Sequence, residues 1–117
     1  MPHPVVHWEI SGRDGEKLQK FYGQLFDWNI HVDPQMQYGM VSTGGEGGIN
    51  GGIYASDKMP PSVTVYVQVD DLKGYLEKAE SLGGKTVVPP TPIPNIGSFA
   101  LFSDPEGNTI GLFKGLG

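Results

Sequence analysis

The chain has 117 residues, 38% of them hydrophobic and 18% charged, with a net charge of −5: enough for one modest core, and too apolar for disorder. That acidity excludes the basic face that nucleic acids and anionic lipid surfaces reward, so neither is an expected partner. The absence of cysteine excludes disulfides, zinc–thiolate sites and a catalytic thiol. A start with no signal-peptide pattern and the lack of any apolar run of about 18 residues lead to the expectation of a cytoplasmic protein.

Val5 to Ile10 alternates Val6, Trp8 and Ile10 with His7 and Glu9, which predicts a strand. Asp14 to Phe26 predicts a helix, with Leu18, Phe21, Tyr22 and Leu25 as its apolar stripe and Asp14 as its N-cap. Trp28 to Val32 predicts a second strand, Asp33-Pro34 a turn, and Tyr38 to Thr43 a third strand. Gly44 to Gly48 is a flexible turn, and Ile49 to Ala55 a short strand broken by glycine. The cluster TGGEGGINGG is followed by no helix bearing Lys-Ser/Thr, so it fails as a phosphate loop. Close strand approach, or room for a ligand beside Gly51 and Gly52, accounts for it better.

Ser56 to Pro61 is polar, ends in Pro60-Pro61, and is taken as a linker. The pattern then restarts. Val63, Val65, Val67 and Val69 alternate with Thr64, Tyr66 and Gln68, a strand signal. Asp70-Asp71 opens a second helix with Asp71 as N-cap rather than as a cation ligand. Leu72, Leu76, Ala79 and Leu82 form its stripe, and Gly83-Gly84 stops it. Lys85 to Val88 predicts a strand, Pro89 to Asn95 a proline-rich connection, and Gly97 to Phe102 another strand. Asp104-Pro105-Glu106-Gly107 is a tight turn before a last strand, Thr109 to Phe113.

Strand, helix and three strands are thus followed by the same order again. Setting Thr64 on His7, an offset of 57 residues (64 − 7), aligns Tyr22 with Ala79, Leu25 with Leu82, and Asp14 with Asp71. The expectation is one α+β domain over residues 1–117, made of two tandem βαβββ modules, about 4–56 and 61–115. A curved mixed sheet would wrap a cleft, with the helices on its outer face. The Val6–Ile10 and Val63–Val69 faces would pack on the helices. The opposite face, with His7, Glu9, Thr64, Tyr66 and Gln68, would wall the cleft, where small molecules usually bind.

Three segments carry a resemblance to a known family: HWEISGRDGEKLQKFYGQLFDW from His7, VTVYVQVDDLKGYLEKAESLGG from Val63, and SDPEGNTIGLF from Ser103. In this order and spacing they resemble the vicinal oxygen chelate superfamily of glyoxalases, bleomycin resistance proteins and extradiol dioxygenases. The DPEGN turn alone is weakly specific, and none of the three points to one activity. The resemblance implies, for metal-dependent members, one divalent cation held by His and Glu from the first and last strand of each half. His7 matches. Thr64 stands where His is expected, Gly51 or Gly52 stands at the last strand of the first half, and Gly111 stands where Glu is expected. Since a catalytic metal needs about three protein ligands, no metal cofactor is expected, and a divalent metal is the alternative.

His7 and Glu9, two residues apart on one strand face, are the candidate catalytic or ligand-anchoring pair; the competing reading is an inherited His that only hydrogen-bonds Glu9 or water. Tyr66 and Gln68 are candidate ligand-binding residues or interface residues. Met40, Tyr54, Thr64 and Phe113 complete the candidate ligand wall, although such apolar residues are more often core or dimer contacts. His3 falls in the terminal segment, where chains are commonly mobile, and His31 on an outer strand. Three functions follow. One is metal-independent binding of a small organic ligand. The second is a metal-dependent lyase, isomerase or dioxygenase. The third is a dimeric interaction module with a filled cleft. Half-covered sheets and their edges favour a homodimer.

Overall fold

The computed structural model describes residues 3–116. Its elements are β1 (Val5–Gly12), α1 (Gly15–Phe26), β2 (Asn29–Asp33), β3 (Tyr38–Ser42), β4 (Gly51–Ala55), β5 (Ser62–Gln68), α2 (Leu72–Ser81), β6 (Lys85–Ile93), β7 (Gly97–Ser103) and β8 (Thr109–Gly115). The α+β class and the repeated βαβββ order are as expected. By contacts the described chain forms two compact units, residues 7–64 and residues 65–116 with 3–6.

In the unit of residues 7–64 the strands run in the order β2-β3-β4-β1. β1 and β4 are parallel, with Glu9 opposite Gly52 and Ser11 opposite Tyr54. β3 is antiparallel to both neighbours, with Met40 opposite Gly52 and opposite His31. Because strand residues alternate faces, this register puts His7, Glu9, Ser11, His31, Tyr38, Met40, Gly52 and Tyr54 on one face. Ile10, Val41 and Ile53 lie on the other.

Helix α1 covers that other face. Asp14 caps it by accepting from the Lys17 amide at 3.0 Å, as expected from the sequence. Gln19 donates to the Ile53 carbonyl at 2.8 Å, and the Leu18 side chain fills the space beside Gly12. The expected stripe is only half right. Phe21 and Leu25 are 56% and 57% exposed, and the packed side of α1 is formed by Leu18, Gln19, Tyr22 and Gly23. Aromatic contacts contribute there: Tyr22 stacks on Phe26 and on Trp28, Phe26 and Trp28 meet at a tilt, and Trp28 packs on Trp8 with ring centroids 5.4 Å apart.

In the other unit the order is β5-β8-β7-β6, with β5 parallel to β8 and the rest antiparallel. Its core is Val69, Leu72, Leu76, Ala100 and Leu112, with Val67, Tyr75 and Phe102 packed against them. Leu72 and Leu76 are one helical turn apart, which brings α2 down on Ala100 and Leu112. Asp71 caps α2 by accepting from the Gly74 amide at 3.0 Å. The expected valine face thins out at its start, because Val63 is 68% exposed while Thr64 and Tyr66 are buried.

Two further expectations change. The prolines of Pro89 to Pro92 do not end β6, which runs on to Ile93 with register shifts between Thr86 and Val88 and between Val88 and Thr91. β6 pairs only with β7 in this unit, and an edge strand can spare the missing proline amides. His3 is tied down rather than loose: its Nε2 lies 2.8 Å from the Tyr75 hydroxyl, and the two rings meet edge-on. Among the described residues no helix is long and apolar enough to cross a membrane.

Candidate functional site

β1 presents His7 and Glu9 to one face of the first sheet because the two residues are two apart on a strand. The structure adds a residue that the sequence reading left as a plain strand position, Tyr38 on β3. Its hydroxyl lies 2.7 Å from His7 Nε2 and donates to Glu9 Oε2 at 2.9 Å. The two outer groups themselves are 4.0 Å apart. The signal in the sequence is indirect. Tyr38 reaches Glu9 only because residue 52, between them in the sheet, is glycine: a β-carbon there would overlap the Tyr38 hydroxyl.

Tyr54 stacks on Tyr38, with centroids 5.6 Å apart and an interplanar angle of 25°. The His7 imidazole is roughly parallel to the Tyr38 ring at 6.4 Å. Burial lowers the His7 pKa below its ordinary value, and the Glu9 charge opposes that shift without cancelling it. Burial likewise raises the Tyr54 phenol, helped by the Glu9 charge and opposed by a hydrogen bond with Ser11. At neutral pH the pair is therefore a neutral imidazole and a phenol that keeps its proton.

An open concavity of about 390 Å3 lies beside this cluster, lined by His7, Asn29, His31, Met40, Ser42 and Asn50 among others. His31 thus shares the face and the concavity with His7, which its place on an outer strand had concealed. A larger hollow of about 780 Å3 is lined by Arg13, Glu16, Lys20 and neighbours at the start of α1. Its charged residues are solvated and partly self-paired, as in the 3.2 Å Glu16–Lys20 ion pair, and none of the candidate residues faces it.

The candidates therefore separate by unit. His7, Glu9, Met40 and Tyr54 come together in the first sheet. Thr64 is buried at 7% exposure. Tyr66, Gln68 and Phe113 share one face of the second sheet, where Tyr66 meets Phe99 edge-on at 6.5 Å and Phe99 pairs with Phe113.

The register also tests the expected metal positions. Gly52 rather than Gly51 lies on the His7 face, because it pairs with Glu9. Gly111 holds the matching place in the second unit, opposite Tyr66. A β-carbon at Gly111 would enter the Tyr66 ring, as one at Gly52 would meet Tyr38. These positions offer no side-chain ligand and have no room for one, and His7 Nε2 is engaged by Tyr38. The residues present do not fit a divalent-metal site of the implied kind. Among the described residues no group of three or more His, Asp or Glu side chains could hold a metal ion.

Comparison with known proteins agrees with this architecture. A profile of the Glyoxalase/Bleomycin resistance protein/Dioxygenase superfamily matches residues 5–112, and the chain belongs to that superfamily. It is 30% identical over 118 residues to a glyoxylase-like domain-containing protein of Didymella fabae, covering 90% of this chain and 92% of that one. It is 28% identical over 115 residues to CFP32 of Mycobacterium tuberculosis, covering 91% of this chain and only 43% of that protein. The chain thus spans less than half the length of this curated relative. Methylmalonyl-CoA epimerase from Mycobacterium tuberculosis has a similar fold, with a TM-score of 0.68 at 14% identity over 97% of this chain and 88% of that one.

Proposed function

We propose that this protein binds a small organic molecule on the face of the first sheet that carries His7, Glu9, Tyr38 and Tyr54, and that it does so without a metal ion. The observation that carries the reading is the hydrogen-bonded chain His7–Tyr38–Glu9, whose His7 lines a concavity together with Met40 and Asn50. Small-molecule sites combine apolar walls with a few convergent polar groups, and this face supplies both. A neutral imidazole, a phenol and a carboxylate can together donate and accept hydrogen bonds, which suits a ligand with a polar end and an apolar body. The acidic chain favours a neutral or cationic ligand over an anionic one by long-range attraction.

A thermal-shift screen followed by calorimetry tests the reading. A ligand at 100 times its Kd stabilises the folded state by about 2.7 kcal/mol, which is readily measured. The expected result is a ligand whose stabilisation is lost in Glu9→Gln and in Tyr38→Phe. Stoichiometric uptake of a divalent metal by the wild-type protein, abolished by His7→Ala, would replace this reading with a metal-dependent one.

A further inference from the structure

Gly52 and Gly111 are equivalent. Each lies on the last strand of its unit and pairs in parallel with a residue of the first strand, Glu9 in one case and Tyr66 in the other. Each lies under a tyrosine that leaves no space for a β-carbon. Neither has the positive φ that calls for glycine. What demands glycine at both positions is the ring above it and not the backbone.

We infer that, in the unit of residues 7–64, the Tyr38 hydroxyl takes the place of a cation between His7 and Glu9, and that Gly52 is the residue that admits it. His7 Nε2 and Glu9 Oε2 are 4.0 Å apart, and the hydroxyl oxygen lies 2.7 Å from the first and 2.9 Å from the second. A divalent ion held tetrahedrally at roughly 2.0–2.2 Å by nitrogen and oxygen would draw the two atoms to about 3.4 Å, closing the gap in which the hydroxyl now sits. Hydroxyl and ion therefore exclude one another between His7 and Glu9.

The proton count follows from the geometry. A phenol carries one proton, and Tyr38 gives it to Glu9. The short contact to His7 then requires the imidazole to donate from Nε2. Nε2 is thereby a proton donor and not an electron-pair donor, and the ring lone pair lies on Nδ1. Tyr38 is a positioning residue: it fixes the His7 tautomer, anchors the Glu9 carboxylate, and closes the gap. The inference rests on the metal-independent reading above and adds Tyr38 to the two ligand-free glycine positions as a cause of that independence.

Two measurements on the full chain test it. In nitrogen-15 NMR spectra at neutral pH, the His7 proton is expected on Nε2 and protected from exchange. That protection is expected to disappear in Tyr38→Phe, which keeps the ring over Gly52 and removes only the hydroxyl. In calorimetric titration with nickel alone, Gly52→Glu is expected to take up none. Tyr38→Ala combined with Gly52→Glu is expected to gain about one equivalent, lost again when His7→Ala is added. A His7 proton on Nδ1, undiminished protection in Tyr38→Phe, or a double variant that is folded by circular dichroism yet gains no nickel would overturn the inference. A failed ligand screen would sink the binding proposal and leave these proton and nickel results where they stand.

Discussion

Tyr66 on β5 covers Gly111, its partner across the β5–β8 pair, so closely that a β-carbon at residue 111 would lie within the space of the phenol ring. The ring is 6% exposed and braced edge-on by Phe99, so it has little freedom to move aside. Gly111→Ala is accordingly expected to destabilise the protein by about 1–3 kcal/mol, the usual cost of overpacking. The check is a lower urea midpoint with an unchanged slope. Gly45 is the control, because a β-carbon there meets nothing within 4 Å. Gly45→Ala should stay within about 0.5 kcal/mol of wild type. Equal effects at the two positions would mean that the ring is not fixed where it is described.

The stability of the protein should depend on pH through His7. Burial holds its folded-state pKa below the ordinary value of 6.5, so the unfolded chain takes up this proton first as pH falls. Where the unfolded state binds more protons, stability rises with pH, so it is lost as pH falls. The loss begins near the ordinary value and levels off below the folded value. The urea midpoint should therefore hold steady above about pH 7 and decline through the acid side of 6.5. In His7→Gln that part of the decline should vanish. Parallel profiles for the two proteins would show that His7 does not titrate differently on folding.

Helix capping gives a second local test. Asp71 accepts from the Gly74 amide at 3.0 Å and is the N-cap of α2, the helix that carries Leu72 and Leu76 into the core of its unit. Asp71→Ala should cost about 1 kcal/mol, and Asp71→Asn or Asp71→Ser much less, since either can accept the same bond. Denaturation midpoints for the three variants decide it. If Ala and Asn cost the same, the cap contributes nothing.

What the sequence made legible was whatever is decided locally. The period-two run from Val63 to Val69, the caps Asp14 and Asp71, and the turn in which Asp104 accepts from the Glu106 and Asn108 amides each depend on residues within one or two turns of chain. The strand through Pro89 to Pro92 was missed because proline argues against a strand unless that strand is at an edge, and edges are set by topology. Tyr38 was missed for a similar reason. Its contacts with His7 and Glu9 span 31 and 29 residues and depend on the β3–β4 and β1–β4 registers, which no periodicity encodes. Gly52 was the only trace. A glycine there suggests a close strand approach or room for a ligand, whereas in the structure the Tyr38 side chain fills that room.

The two helices should respond unequally to truncation of leucines that the sequence treats alike. Leu25 and Leu76 both lie on a predicted apolar stripe, but Leu25 is 57% exposed and Leu76 only 5%. Leu76 packs into the cluster with Val69, Leu72, Ala100 and Leu112, so Leu76→Ala removes buried contacts and leaves a cavity. A cost of about 2–5 kcal/mol is expected. Leu25→Ala removes surface that is already largely hydrated and substitutes a better helix former, so its effect should lie within about 0.5 kcal/mol of zero. Phe21, at 56% exposure, should behave like Leu25. Urea denaturation of the three variants reads out the difference. If Leu25→Ala or Phe21→Ala proved as costly as Leu76→Ala, that residue would have to be covered in solution. The loss should then depend on protein concentration if the cover is a second copy of the chain, and sedimentation at two concentrations would show it.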